Sequence, residues 1–358
     1  MCFLKCADFL PIGTKYSLST CSYLHSYHQI NYHFSILLSL EKLSEIPSVN
    51  MKNSSTVSEF ILLGLTSSWP LSVCFLIVFL LAYVAIIGGN LLIVFTVTFD
   101  SYLQSTPMYF LLGNLSFLDM CISTITTPQM VIDFLREKKT VSLWGCMAQM
   151  FFLHFLGGSE MTLLIVMAVD RYIAICRPLR YSIIMNRRVL LGSVLLSWAV
   201  GFVHTMSQMV FMVALPFCGP NVVDNIFCDL PLVLKLACSE TYVLELLVIA
   251  DSGFLSFLCF VLLLISYTVI LVTVRRQSAG GLSKALSTLS AHITVVTLFF
   301  GPCIFIYAWP FNNFSVDKFL SVFYSVITPL LNPIIYTLRN REMKSAMSRL
   351  RAQHISSR

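Results

Sequence analysis

Seven stretches of this sequence run for twenty to thirty residues with one acidic or basic residue or none. Residues 71–99, 189–214, 285–310 and 319–338 carry no such charge, while 107–132 hold only Asp119, 140–169 only Glu160 and 246–274 only Asp251. A helix needs about 20 mostly apolar residues to cross the hydrocarbon core of a bilayer, so each stretch is long enough to span. The chain as a whole is 57% hydrophobic and 11% charged, against roughly 25% charged residues in an ordinary soluble domain. A surface this apolar is not solvated by water. The expected fold is an all-α membrane protein, a bundle of seven transmembrane helices.

The net charge of +6 does not point to nucleic acid, because the basic residues sit in short runs between apolar stretches and form no patch interleaved with aromatics. Their distribution is topological. Arg171, Arg177, Arg180, Arg187, Arg188, Arg275, Arg276, Lys284, Arg339, Arg341, Lys344, Arg349, Arg351 and Arg358 lie on one side, fourteen residues against nine on the other. The bias puts the N-terminus outside and the C-terminus in the cytoplasm. The loop from Asp100 to Thr106 adds nothing basic, so the orientation rests on the later loops.

The expected organisation is an extracellular tail over 1–70, a membrane domain over 71–338 and a cytoplasmic tail over 339–358. Residues 1–50 lack the apolar stretch and small-residue cleavage site of a signal peptide and are expected to be disordered. Met51 begins a stretch able to serve as a start by itself. Asn53-Ser54-Ser55 is a glycosylation sequon in a suitable outer context. Asn114-Leu115-Ser116 lies inside the second span and Asn313-Phe314-Ser315 in a short loop against the membrane, and both are set aside.

Ionisable groups inside a membrane are costly and mark candidate sites. Here they are Asp119, Glu160, Asp251 and His292, joined by the strongly polar Asn90 and Asn332. The plain alternative is that these groups satisfy one another as glue between helices. Two carboxyls that approach each other do not both ionise without a cation between them. Asp119 with Glu160 therefore suggests a bound monovalent cation such as sodium, or a shared proton. At the end of the third span stands Asp170-Arg171-Tyr172, and span seven ends in Asn332-Pro333-Ile334-Ile335-Tyr336, where the proline removes a helix hydrogen bond and creates a place to bend.

Several longer motifs resemble those of the olfactory receptors, a family of rhodopsin-like G protein-coupled receptors. They are Pro107-Met108-Tyr109-Phe110-Leu111, Met167-Ala168-Val169-Asp170-Arg171-Tyr172-Ile173-Ala174-Ile175-Cys176, Lys284-Ala285-Leu286-Ser287-Thr288 with Ser290-Ala291-His292, and Pro329 to Asn340. They follow one another in order from about residue 51 to 345. The chain departs from the family pattern at Leu289, Phe300 and the acidic loop after span one.

The resemblance implies a receptor that binds a small volatile odorant among its helices and activates a stimulatory, olfactory-type heterotrimeric G protein to raise cyclic AMP. It implies membrane lipid as surroundings, no cofactor and no catalysis. A rhodopsin-like receptor for a non-odorant small molecule in another tissue is the alternative. Arg171 would be held by Asp170 in the resting state as a two-state latch, with Tyr172, Tyr267, His292, Asn332, Pro333 and Tyr336 serving the switch. Ligand positions would be His154, Gly157, Gly158, Met161, Val248, Asp251, Ser252, Phe300, Ile304 and Tyr307. Gly158 is expected to leave room for the ligand on the face shared with His154 and Met161, opposite an aromatic wall of Phe300 and Tyr307. For each of these, helix packing is the plain alternative. Cys146, Cys218, Cys228 and Cys238 face an oxidising side and allow three pairings; the family would pair Cys146 with Cys228 and Cys218 with Cys238.

An intramembrane aspartyl protease is disfavoured because neither Asp119 nor Asp251 has a Gly-x-Gly-Asp context. A transporter is disfavoured by the odd number of spans without repetition. A retinal pigment needs a lysine in 319–338, which has none.

Overall fold

The computed structural model describes residues 57–277, 281–308, 317–338 and 341–356. The extension over 1–50, the Met51 start, and the sequons at Asn53 and Asn313 lie outside the described residues. Seven long helices and one terminal helix dominate. They are α1 (Trp69–Phe99), α2 (Pro107–Asp133), α3 (Leu143–Cys176), α4 (Arg187–Met212), α5 (Tyr242–Gln277), α6 (Gly281–Ala308), α7 (Asp317–Leu338) and α8 (Arg341–Ser356). Six of them are long and apolar enough to cross a membrane, and α6 contributes a shorter apolar run, His292–Ala308. Their outer faces carry Leu81, Val84, Leu195, Val203, Val210 and Leu262, all largely exposed. Such a belt has lipid as its natural partner.

Local chemistry sets the ends. Pro70 and Pro107 sit in the first turns of α1 and α2, where a missing N–H costs nothing. Ser142 Oγ accepts from Gly145 N–H at 3.1 Å to cap α3, and Asn186 Oδ1 accepts from Arg188 and Val189 N–H to cap α4. Helix α5 contains a π-helical turn at Ile249–Phe254 and α7 another at Phe323–Ile327; such turns re-aim side chains and gather at functional sites.

Helix α3 is the most buried span and packs on α2, α4 and α5. Its crossing with α4 depends on glycine. A Cβ on Gly201 would stand 2.7 Å from the Ser159 amide nitrogen, and one on Gly158 would stand 3.1 Å from Gly201 Cα. Small residues let the two backbones approach. Trp198 on α4 packs at 5.4 Å from Phe155, a structural part. Asn90 donates to Pro329 O at 3.0 Å and so ties α1 to α7, the role of glue between helices.

One end of the bundle bears a feature that an all-α expectation lacks. Strand β1 (Glu59–Leu62), within the expected tail, pairs antiparallel with β2 (Thr140–Ser142) and parallel with β3 (Val222–Val223). Ile61 N–H donates to Asn221 O at 2.7 Å and Leu62 N–H to Lys139 O at 2.8 Å. Phe60 and Leu62 are fully buried in a second hydrophobic cluster with Cys146, Met150, Cys228 and Leu230. Lys318, at the start of α7, reaches Asp224 and the Gly64 carbonyl. Cys146 is joined to Cys228 across 5.4 Å between Cα atoms, and Cys218 to Cys238 across 5.9 Å. The loop between α4 and α5 is thus a cross-linked lid.

At the opposite end α8 folds back on the first loop. Met343 and Ala346 are fully buried in the main core. Arg349 donates through Nε and Nη2 to Asp100 Oδ2 at 3.0 and 2.6 Å, while Tyr109 donates to Glu342 at 2.8 Å. Burial alone would raise the Asp100 carboxyl, but hydrogen bonds from Arg349 and the Leu103 amide, with the guanidinium charge, hold it below its ordinary value. The acidic loop therefore has a partner in α8.

Candidate functional site

Below the lid, side chains from four helices and the lid itself meet in a row of polar groups. His154 on α3 and Asp229, the residue after the cross-linked Cys228, are both buried, with His154 Nε2 3.8 Å from Asp229 Oδ1. Tyr307 on α6 donates to the same oxygen at 3.0 Å, and its ring meets His154 edge-on at 5.6 Å. Asp229 also accepts from Leu230 N–H at 2.9 Å. His154 Nε2 itself has no hydrogen-bond partner among the described residues. A buried polar atom left unpaired is costly and calls for an explanation.

The second half of the row ties α4 to α5. His204 on α4 stacks on His154 with centroids 6.0 Å apart and places Nδ1 3.1 Å from Asp251 Oδ2. That oxygen also accepts from Ser207 at 2.8 Å and Gln208 at 3.3 Å, and Gln208 donates to Ser252 at 2.8 Å. Asp251 and Ser252, expected at the ligand, thus also bond to α4. They form a seam between α4 and α5 in which the π-helical turn aims them sideways. Gly253 in the same turn lets α6 approach: a Cβ there would lie 2.8 Å from Ala308 Cα.

The two glycines of α3 separate as well. Gly158, expected to leave room for a ligand, faces Gly201 and the His204 ring, each 3.1 Å from its would-be Cβ. Gly157 has nothing within 4 Å of that point and is the one with open space, one turn from His154. Leucine at Gly157 should therefore weaken responses to large agonists more than to small ones at unchanged surface level. Leucine at Gly158 overpacks the α3–α4 crossing, at about 1–3 kcal/mol, and should lower surface receptor. Surface staining beside dose–response curves tells the two apart, and an equal loss of surface level in both would defeat the distinction.

The remaining expected pocket residues are packed among the helices. Met161 Sδ accepts from Ser256 at 3.8 Å. Val248 is fully buried in the lid-side cluster, and Ile304 is partly buried against the main core. Phe300 is fully buried in the main core and packs with Phe260 and Phe299 at 6.1 and 5.1 Å.

Deeper, Asn332 donates to both oxygens of Asp119 at 3.1 and 2.8 Å. Glu160 is buried with Oε1 unpartnered among the described residues. No cluster of three or more His, Cys, Asp or Glu side chains suited to a metal occurs among the described residues.

At the end away from the lid, Tyr267 on α5 and His292 on α6 share a hydrogen bond of 2.6 Å, and Tyr336 on α7 is buried nearby with Tyr172 packed at the core edge. The Arg171 charge reaches Tyr267, His292 and Tyr336. Asp170, expected to pair with Arg171, feels the Arg171 charge but takes its hydrogen bond elsewhere. Tyr181, in the short helix Tyr181–Ile184, donates to it at 2.8 Å, and no ion pair joins Asp170 to Arg171 among the described residues. Burial, then the Asp170 charge, push the Tyr181 hydroxyl above its ordinary range, so it stays protonated and donates.

Residue by residue, sequence reasoning missed Asp229, His204, Ser207, Gln208 and Tyr181. Only Asp229 carried a signal, its place next to a lid cysteine.

A family profile described as olfactory receptor matches residues 79–354. The chain is 64% identical to human olfactory receptor 4L1 over 309 residues, covering 86% of this chain and 99% of that one. It is 65% identical to human olfactory receptor 4K13 over 297 residues, 83% of this chain and 97% of the relative. To human olfactory receptor 4K15 it is 61% identical over 307 residues, 86% and 94% of the two chains.

Proposed function

The chain belongs to the olfactory receptor family, and from that premise we propose that it couples a ligand bound beneath the lid to a stimulatory, olfactory-type G protein at the opposite end, raising cyclic AMP. It is a multi-pass plasma-membrane receptor for odorants and not an enzyme. The lid faces outward and α8 lies in the cytoplasm, the orientation that the loop charges favour. Ligand contacts fall to His154, Gly157, Met161, Asp229 and Tyr307. The switch falls to Asp170, Arg171, Tyr172, Tyr267, His292, Asn332, Pro333 and Tyr336. Asp119 and Glu160 hold a proton or a monovalent cation between them.

The observation that carries this reading is His154 with its unpartnered nitrogen, set beside Asp229 and Tyr307 under a cross-linked lid. Small-molecule sites are mostly apolar with a few placed polar groups. The test is a panel of volatile compounds on cells expressing residues 51–358, read as cyclic AMP. A concentration-dependent rise for at least one compound is expected. Silence across a broad panel, with the receptor shown at the surface, would defeat the reading.

A further inference from the structure

We propose that Gly89 of α1 is a positioning residue for the switch: it is the seat in which Pro333 of α7 rests, and it sets how often the receptor signals without a ligand. The inference rests on the receptor reading above and adds to its switch a residue from a helix that supplies none of the others. A proline inside a helix has no N–H for the carbonyl four residues back, and its ring crowds that turn, so α7 bends most readily at Pro333. The carbonyl left over is that of Pro329, and Asn90 Nδ2 of α1 donates to it at 3.0 Å. Helix α1 thus supplies the bond that α7 lacks. Next to the proline, Asn332 donates to both oxygens of Asp119 on α2.

Gly89 precedes Asn90 and lies against the proline ring. A Cβ on it would stand 3.0 Å from Pro333 Cβ and 3.2 Å from Cγ, inside the contact distance of about 3.5–4.0 Å that two carbons prefer. The ring therefore occupies the space of the side chain that glycine lacks. Gly88, one residue earlier, has nothing within 4 Å of the same point. Gly89→Ala has to push the ring off α1. That strain falls on the arrangement in which Pro333 is seated, and an arrangement in which α7 has moved off α1 is free of it. The populations shift toward the unseated arrangement. Tyr336, buried three residues beyond the hinge, moves with it and carries the shift to the coupling end.

The experiment is basal cyclic AMP, read without any odorant in cells expressing the full chain and divided by surface receptor. Gly89→Ala should raise it about fivefold, the population shift that mild overpacking produces, and Gly88→Ala should leave it at the wild-type level. No rise in Gly89→Ala at equal surface level would overturn the proposal, and so would an equal rise in Gly88→Ala. If Gly89→Ala is retained inside the cell, Pro333→Gly is added to clear the ring from the other side of the contact. Surface receptor recovered in that double variant upholds the seat, and continued retention overturns it. A flat basal level in Gly89→Ala, beside a wild-type response to the odorant panel, sinks the seat and leaves the receptor reading standing. Silence of the panel and of both glycine variants, with receptor at the surface, would overturn both.

Discussion

Arg171→Ala abolishes ligand-stimulated cyclic AMP while surface receptor stays near the wild-type level. The expectation follows from what holds each member of the Asp170-Arg171 pair. Asp170 is buried, and its hydrogen bond comes from Tyr181, so removing the guanidinium strands no buried carboxyl. The Arg171 charge also acts on Tyr267, His292 and Tyr336, contributed by α5, α6 and α7. A cation at that junction is available to a partner once the helices part. Tyr181→Phe is the contrasting variant. It leaves Asp170 buried and short of a donor, at about 1–3 kcal/mol, and should lower surface receptor while the remaining molecules still signal. Wild-type stimulation in Arg171→Ala at equal surface level would show that the coupling residue lies elsewhere.

Replacing Cys146 or Cys228 by serine should each remove most of the surface receptor, and the double replacement should be no worse than either single one. The two sulfurs are bonded to each other, so the second loss costs nothing further. Loss of a native disulfide typically costs 2–5 kcal/mol, and here it also frees Asp229, the next residue, from its place over α3. Gln149 accepts from Cys228 N–H at 2.9 Å and holds part of the lid by itself. Cys218 and Cys238 close a shorter loop of twenty residues, worth about 3 kcal/mol by chain entropy, and their loss should be milder. Single losses that multiplied in the double variant would show that Cys146 and Cys228 act separately.

Much of the frame was legible because the bilayer leaves a coarse signature. Seven windows nearly free of charge locate seven helices. The family motifs named candidate residues for a switch. What they did not name is who holds whom. Asp170 was assigned to Arg171, its neighbour in sequence, whereas a tyrosine eleven residues on takes it. Gly157 and Gly158 stand about 100° apart on a helix, and no periodicity says which faces the cavity and which faces α4. Asp251 reads as a ligand group, and nothing in the sequence tells that Ser207 and Gln208 of α4 also bond to it. Asp229 depends on three things at once: the disulfide, the lid and the reach of Tyr307. Strand β1 escaped because four residues that pair with loops far off in sequence carry too short an alternation to stand out from a tail.

That strand also decides where the chain can be cut or lengthened. Glu59 begins β1 eight residues after Met51, so a polypeptide begun at Met51 keeps every residue of the strand. One begun beyond Leu62 would strip Phe60 and Leu62 from the lid cluster and leave β2 and β3 as bare edges. A reporter spliced between Glu59 and Gly64 would therefore prise apart the cover that positions Asp229.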